Sequence, residues 1–95
     1  MSDQIQNIKD AVELECNCSA RHVESVVVIE MSGGKTIWEG MVEVFALVDH
    51  PDAKRCYAWS FMDGHGRQYV TLLEKPPVTS PNAAVRAAIA SGQQK

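Results

Sequence analysis

The sequence has no long hydrophobic run and no excess of positive charge. None of its uninterrupted apolar stretches approaches the roughly 20 residues that a membrane-spanning helix needs. Nine Lys and Arg residues against twelve Asp and Glu residues leave a formal net charge of −3, so no overall electrostatic field attracts polyanions. We therefore predict no membrane association, and the composition disfavours binding to nucleic acid.

Cysteine is scarce and odd in number. The chain has three cysteines, Cys16, Cys18 and Cys56, whereas a secreted domain stabilised by disulfides normally leaves none unpaired. The first ten residues also lack the basic segment and apolar core of a secretion signal. We therefore predict reduced thiols and a cytoplasmic location.

The common catalytic motifs are missing as well. We find no glycine-rich phosphate loop, no His-Glu-x-x-His metal motif and no pair of carboxylates held on one rigid element. The 95 residues, 45% of them hydrophobic, fit one compact domain over residues 1–95. The sequence thus favours a protein that is not an enzyme and uses no cofactor.

Hydrophobic periodicity predicts a helix, four strands and a second helix. Apolar residues recur at three- and four-residue spacing from Ile5 to Cys16, which is typical of a helix. The region from Val23 to Glu74 is rich in β-branched and aromatic residues and is divided by short turns. The predicted elements are a helix over about 3–17, strands over about 22–31, 36–48, 55–62 and 68–74, a helix over about 81–91, and a frayed tail over 92–95.

Short turns between neighbouring strands favour sequential antiparallel pairing. We predict an α+β fold, a two-layer sandwich of order α-β-β-β-β-α, with an antiparallel meander sheet and both helices on one face. The second helix is rich in alanine and could approach the sheet closely. The small residues of the third strand, Cys56, Ala58 and Ser60, would form its seat.

Large aromatic residues alternate with these small ones along the third strand. Successive side chains of a strand point to opposite faces, so Tyr57, Trp59 and Phe61 would stand on the face that the helices leave open. An exposed row of aromatic rings is typical of an interaction surface. We predict a non-catalytic binding or self-association module that uses this face, as a possible homodimer or a ligand platform. The alternative is that the aromatic residues are buried beneath the helices as core.

Cysteine and histidine residues supply a second hypothesis. Cys16, Cys18 and His22 offer three zinc ligands in one short segment, with a further His or Cys as a fourth. Cys16 also fits the apolar stripe of the first helix, as an ordinary core residue. An enzyme version would use Cys56 as a nucleophile beside His50, although a helix-facing Cys56 would bury its sulfur. A small thiol- or metal-dependent protein is therefore the alternative function.

The only locally basic surface is formed by Lys54, Arg55 and Arg67. These cations could bind an anionic ligand or, weakly, a nucleic acid. They could equally form a solvated rim, because neighbouring aspartates neutralise them locally.

The order helix, antiparallel strands, helix is similar to the double-stranded RNA-binding domain. That family grips RNA through a Lys-Lys-x-Ala-Lys stretch at the start of its second helix. The matching residues 80–86 read Ser-Pro-Asn-Ala-Ala-Val-Arg, with one cation. The resemblance therefore implies no RNA-binding residue in this chain.

More of the chain resembles a family of small uncharacterised bacterial proteins of about this length. The segments that carry this resemblance are residues 22–26, 38–45, 50–59 and 80–89. It implies a bacterial cytoplasmic protein with a shared fold, and it brings no activity with it.

Overall fold

A computed structural model describes residues 3–92 of the chain. Its elements are α1 (Asp3–Cys16), β1 (Ser19–Ser32), β2 (Lys35–Val48), β3 (Arg55–Asp63), β4 (Gly66–Leu73) and α2 (Pro81–Ser91). The predicted α+β class and element order are confirmed, although β1 begins earlier than predicted. Of the predicted tail, Gly92 ends α2 as a left-handed cap, and residues 93–95 lie outside the described residues.

The four strands form one antiparallel sheet of order β1-β2-β3-β4, which confirms the meander. β1 and β2 pair along nearly their whole lengths, from Ser19 opposite Val48 to Ser32 opposite Lys35. Gly33 and Gly34 turn this hairpin with φ angles of 57° and 79°, a backbone region open to glycine. β2 and β3 pair only from Glu43–Ala58 to Ala46–Arg55. The β1–β2 hairpin and the β3–β4 hairpin are therefore joined only over this short segment, and the tight turn of each hairpin lies beyond it.

The prediction of both helices on one face is wrong, because α1 and α2 pack against opposite faces of the sheet. α1 packs with Cys56 and Ala58 of β3, whereas α2 packs with Tyr57 and Trp59 of the same strand. These residues alternate along β3, and alternate residues of a strand point to opposite faces. The small residues do seat a helix, but that helix is α1, and the sheet is the middle of three layers.

The aromatic residues of β3 are core, so the predicted open row of Tyr57, Trp59 and Phe61 is wrong. Trp59 is 1% exposed and Tyr57 is 3% exposed, and Phe61 is partly buried against the same cluster. Trp38 meets Trp59 edge to face, with ring centroids 5.5 Å apart. The α2 side of the sheet thus buries the large rings, which confirms the alternative that they are core.

Polar contacts hold α2 over the end of β1 that is nearest the first hairpin turn. Glu30 accepts hydrogen bonds from Arg86 Nε at 2.7 Å and from Asn82 Nδ2 at 3.2 Å. α2 itself begins at a capping hydroxyl, since Ser80 Oγ accepts from the Ala83 N–H at 3.1 Å. Neither helix of residues 3–92 is long and apolar enough to cross a membrane.

Candidate functional site

The half of the sheet nearest the two hairpin turns is uncovered on the α1 side. Strand register pairs Val27 with Met41 and Ile29 with Glu39 in the first hairpin. In the second hairpin it pairs Ser60 with Tyr69 and Met62 with Arg67. These residues alternate with side chains packed in the α2-side core, so they share the opposite face. We call them the open face: Val27, Ile29, Glu39, Met41, Ser60, Met62, Arg67 and Tyr69.

The open face is mainly apolar. Its five large apolar side chains are 40% to 64% exposed, and they are Val27, Ile29, Met41, Met62 and Tyr69. Scattered exposed hydrophobic residues are ordinary, but several on one sheet face form a patch of the kind that marks interaction sites. The open face therefore lies on the α1 side, opposite to the aromatic face that the sequence predicted to be uncovered.

Two opposite charges lie on the open face. Glu39 is on β2, opposite Ile29 of β1, and Arg67 is on β4, opposite Met62 of β3. Arg67 Nη1 donates a hydrogen bond to Ser60 Oγ at 2.9 Å. The negative and positive groups therefore sit on different hairpins of the same surface.

A polar cluster around the buried Glu43 lies at the border between the open face and α1. The Ser25 hydroxyl donates to Glu43 Oε1, and His22 Nε2 lies 2.8 Å from the same oxygen. Glu43 is buried, and these two partners compensate the desolvation of its carboxylate. Because Ser25 gives its hydrogen bond to the carboxylate, the three residues do not form the hydroxyl–imidazole relay of a nucleophilic serine.

Sequence reasoning missed this cluster, although one signal could have revealed it. Glu43 shares its position in the alternation of β2 with Phe45 and Leu47, both buried under α1. A carboxylate among core-facing positions needs a hydrogen-bonding partner. His22 on the neighbouring strand is the available partner, although its spacing from Cys16 and Cys18 favours a metal site.

The predicted metal site of Cys16, Cys18 and His22 is not formed. Across residues 3–92, no group of three or more His, Cys, Asp or Glu side chains is placed to hold a metal ion. His22 is bound to Glu43, while Cys16 and Cys18 pack against the α1-side core. The sequence shows the spacing of these residues but does not show that Glu43 is buried. The buried carboxylate of Glu43 is the group that His22 contacts.

The structure also gives no support to a Cys56 nucleophile activated by His50. Cys56 is fully buried, and burial raises the pKa of its thiol to about 12, which suppresses the reactive thiolate. His50 Nδ1 accepts hydrogen bonds from the backbone N–H groups of Asp52 and Ala53, at 3.1 and 3.2 Å. His50 therefore stabilises its own turn.

The predicted basic surface is divided between the two ends of the second hairpin. Arg55 begins β3 and Lys54 precedes it, whereas Arg67 pairs with Met62 near the other end. Seven residues of extended strand separate these positions by about 23 Å. Lys54, Arg55 and Arg67 thus cannot hold one small anion together, and only Arg67 belongs to the open face.

A groove extends the open face toward α1. It is lined by residues of the helix and of the edge strand β4: Ala11, Leu14, Glu15, Tyr69, Val70 and Thr71. Tyr69 lines both surfaces, and Leu14 is strongly exposed on the helix side. The groove therefore adjoins the open face at Tyr69, on the second hairpin.

Comparison with protein families, with curated proteins and with solved structures finds no match to this chain. The resemblance to the family of small bacterial proteins therefore stays a prediction. The open face is the candidate site on the strength of its own geometry.

Proposed function

We propose that the protein is a non-catalytic binding module that self-associates as a homodimer through its open face. The observation that carries this proposal is the row of large apolar side chains, 40% to 64% exposed, on one sheet face. Exposure of such a surface to water is unfavourable, and covering it lowers the free energy in proportion to the apolar area removed from water. The cytoplasmic location predicted from the sequence belongs to this proposal and is equally untested.

A second copy of the chain is the partner that fits the arrangement of charges. β2 and β3 pair only as far as Glu43–Ala58. Continuing that register toward the turns would place Ile29, Glu39, Met62 and Arg67 in one row. A two-fold axis parallel to the strands, between β2 and β3, would lay each β1 over the partner's β4. Val27 would then face Tyr69 of the partner subunit, and Glu39 would lie beside Arg67 of the partner subunit. Each copy gives and receives the same contacts, as a two-fold interface requires.

The area of the open face sets the expected strength of the dimer. Half-exposed side chains of these sizes contribute roughly 250–400 Å² of apolar surface per copy. A standard stable interface buries about 800 Å² of total surface per partner, rather more than half of it apolar. The open face therefore lies at the low end of specific interfaces, and we expect a weak dimer that depends on concentration.

Sedimentation velocity tests the proposal, over protein concentrations from about 10 μM to 1 mM that bracket a weak interface. The wild-type chain should shift from monomer to dimer across this range. Val27→Lys places a charge in the centre of the open face and should keep the chain monomeric. Val48→Lys is the matched control, because Val48 is 50% exposed but lies at the other end of β2, on the α2 side. A monomeric wild type, or equal dimerisation of the two variants, would overturn the proposal.

Charge exchange tests the geometry of the dimer. Glu39→Arg and Arg67→Glu should each weaken the dimer, because each variant brings like charges together across the interface. The double variant should recover association by restoring opposite charges in exchanged positions. If the double variant associates no better than either single variant, the face-to-face arrangement is wrong even where a dimer exists.

A further inference from the structure

The two edges of the sheet differ in how they are protected. Edge strands present unpaired backbone groups to any extended chain, and proteins usually block them with bulges, prolines or charges. β1 has two register shifts, at His22–Glu24 and at Glu30–Met31, and such bulges disturb regular pairing. β4 has no register shift over its eight residues and contains no proline. Within residues 3–92, β4 pairs only with β3, so its outer edge is the less protected one.

The hydrogen-bond pattern shows which backbone groups of β4 point outward. The N–H of Glu74, the residue after β4, donates to the Arg55 carbonyl oxygen at 2.9 Å and therefore points toward β3. Backbone groups of an antiparallel strand point alternately toward and away from a given neighbour. Arg67, Tyr69 and Thr71 therefore direct their N–H and C=O groups away from β3. These are the donors and acceptors that an added strand needs.

A recess lies on each side of this edge. On the α1 side it is the groove, which contains Leu14 and Glu15. On the other side is a recess at the β3–β4 turn, which we call the turn cavity, with Phe61, Asp63 and Gln68 in its lining. Phe61 packs against the α2-side cluster and pairs with Gln68, so the turn cavity lies on the α2 side. Two residues of β4 line both recesses, Tyr69 and Val70.

Each recess combines apolar surface with one carboxylate. Glu15 lies in the groove with Leu14, and Asp63 lies in the turn cavity with Phe61. Within residues 3–92, neither carboxylate forms a salt bridge. The turn cavity has one further ionisable side chain, that of His65. A long basic side chain suits such a recess, because its aliphatic stem packs on apolar surface while its charge reaches the carboxylate.

We propose that the outer edge of β4 binds an extended basic peptide segment of a partner protein, which joins the sheet as a fifth strand. Successive side chains of a strand point to opposite faces. Two basic side chains separated by an odd number of positions would therefore enter the groove and the turn cavity. The net charge of −3 also favours a cationic partner. This binding uses the edge of the sheet and does not depend on the proposed dimer.

Two peptides of the same composition test the arrangement against the full chain. Acetyl-Val-Arg-Thr-Val-Arg-Val-amide, the opposite-face peptide, has its arginines on opposite faces when extended, whereas acetyl-Val-Arg-Thr-Arg-Val-Val-amide has them on one face. Fluorescence anisotropy of the labelled peptides at about pH 8, where histidine is ordinarily neutral, measures binding. The opposite-face peptide should bind with a dissociation constant of the order of 0.1–1 mM. The same-face peptide should bind roughly fivefold more weakly, because only one of its arginines can reach a carboxylate.

Amide hydrogen exchange locates the bound peptide. With the opposite-face peptide at about ten times its dissociation constant, exchange should slow roughly tenfold at the N–H groups of Arg67, Tyr69 and Thr71. Thr71→Pro removes one outward N–H group and should weaken binding by more than about tenfold. Thr71→Val keeps this N–H group and should bind as the wild type does. The wild-type exchange pattern decides the outcome even if Thr71→Pro fails to fold.

Three results would overturn the proposal. The first is equal binding of the two peptides, and the second is unchanged exchange at Tyr69 and Thr71 in the presence of the opposite-face peptide. The third is protection of these two amides that rises with protein concentration when no peptide is present, since a second copy would then occupy the edge. Val27→Lys, which should keep the chain monomeric, should bind the opposite-face peptide normally. Failure of the dimer and failure of peptide binding are therefore distinguishable.

Discussion

Replacing Trp59 with alanine is the most direct test of the packing described above. Trp59 is 1% exposed, and its ring lies in the cluster that α2 covers, in contact with the edge of Trp38. Had this ring stood on an open face, its removal would hardly affect folding. Because it is enclosed between sheet and helix, we expect a large loss of stability.

The expected magnitude follows from the buried area. A buried aromatic ring removes about 150–250 Å² from water, which corresponds to roughly 4–6 kcal/mol of transfer free energy. Large-to-small substitutions of buried aromatic residues typically cost about 3–5 kcal/mol. A domain of this length is stable by only about 5–14 kcal/mol. We therefore expect Trp59→Ala to remove about a fifth or more of the free energy of unfolding.

Urea unfolding followed by far-ultraviolet circular dichroism measures this loss without relying on tryptophan fluorescence. Tyr69→Ala is the control, because Tyr69 is a large ring on the open face and is 40% exposed. The control should cost less than about 1.5 kcal/mol, since about two fifths of its surface already meets water. A Trp59→Ala loss no greater than the Tyr69→Ala loss would refute the placement of α2 over this ring.

Two further predictions concern contacts on the α2 side. Hydrogen bonds from Arg86 and Asn82 hold the pKa of Glu30 below its usual value, so its contribution to stability is complete above about pH 5 and is lost as the pH falls through the lowered pKa. Arg86→Met should therefore flatten the fall in urea midpoint between about pH 5 and pH 3, and parallel wild-type and variant profiles would contradict this role. Gly40→Ala should lower the free energy of unfolding by about 1 kcal/mol. A Cβ at Gly40 would lie 3.0 Å from Cη2 of Trp38 and would displace that ring. An unchanged urea midpoint and near-ultraviolet spectrum would show that the ring has room to move.

Element order and strand pairing could be predicted because they depend on local signals. Glycine pairs, proline positions and β-branched runs mark turns and strands within a few residues of each other. The alternation in β3 also predicts correctly that Ala58 and Trp59 lie on opposite faces. What the alternation alone could not decide is which face each helix covers, because that depends on contacts between distant segments.

β2 carried the signal that could have corrected the placement of the helices. From Val42 to Leu47 both parities are almost entirely apolar, and all but Ala46 are buried. A strand that faces water on one side alternates apolar and polar residues, whereas a strand buried on both sides does not. Apolar residues of both parities therefore indicated one helix on each face.

The candidate site escaped prediction for the same physical reason. Val27 and Ile29 lie in an unbroken aliphatic run with Val28, and only the register and the position of α1 show that Val28 is buried and its neighbours are exposed. The sequence therefore placed the uncovered surface on the wrong side of the sheet, and the residues of the open face had to come from the structure.

The lengths of the elements explain why an open face exists at all. α1 has 14 residues and spans about 21 Å, whereas the 14 residues of β1 extend over about 46 Å. One such helix cannot cover the whole sheet, and contact with Cys56 and Ala58 holds α1 over the end away from the hairpin turns.

A two-stranded ribbon left bare on both sides would be only marginally stable. Here α2 backs the ribbon from the other face, through Val28 and the Glu30–Arg86 ion pair. α2 therefore supports the first-hairpin part of the open face before any partner arrives, so association would need to order little of that hairpin.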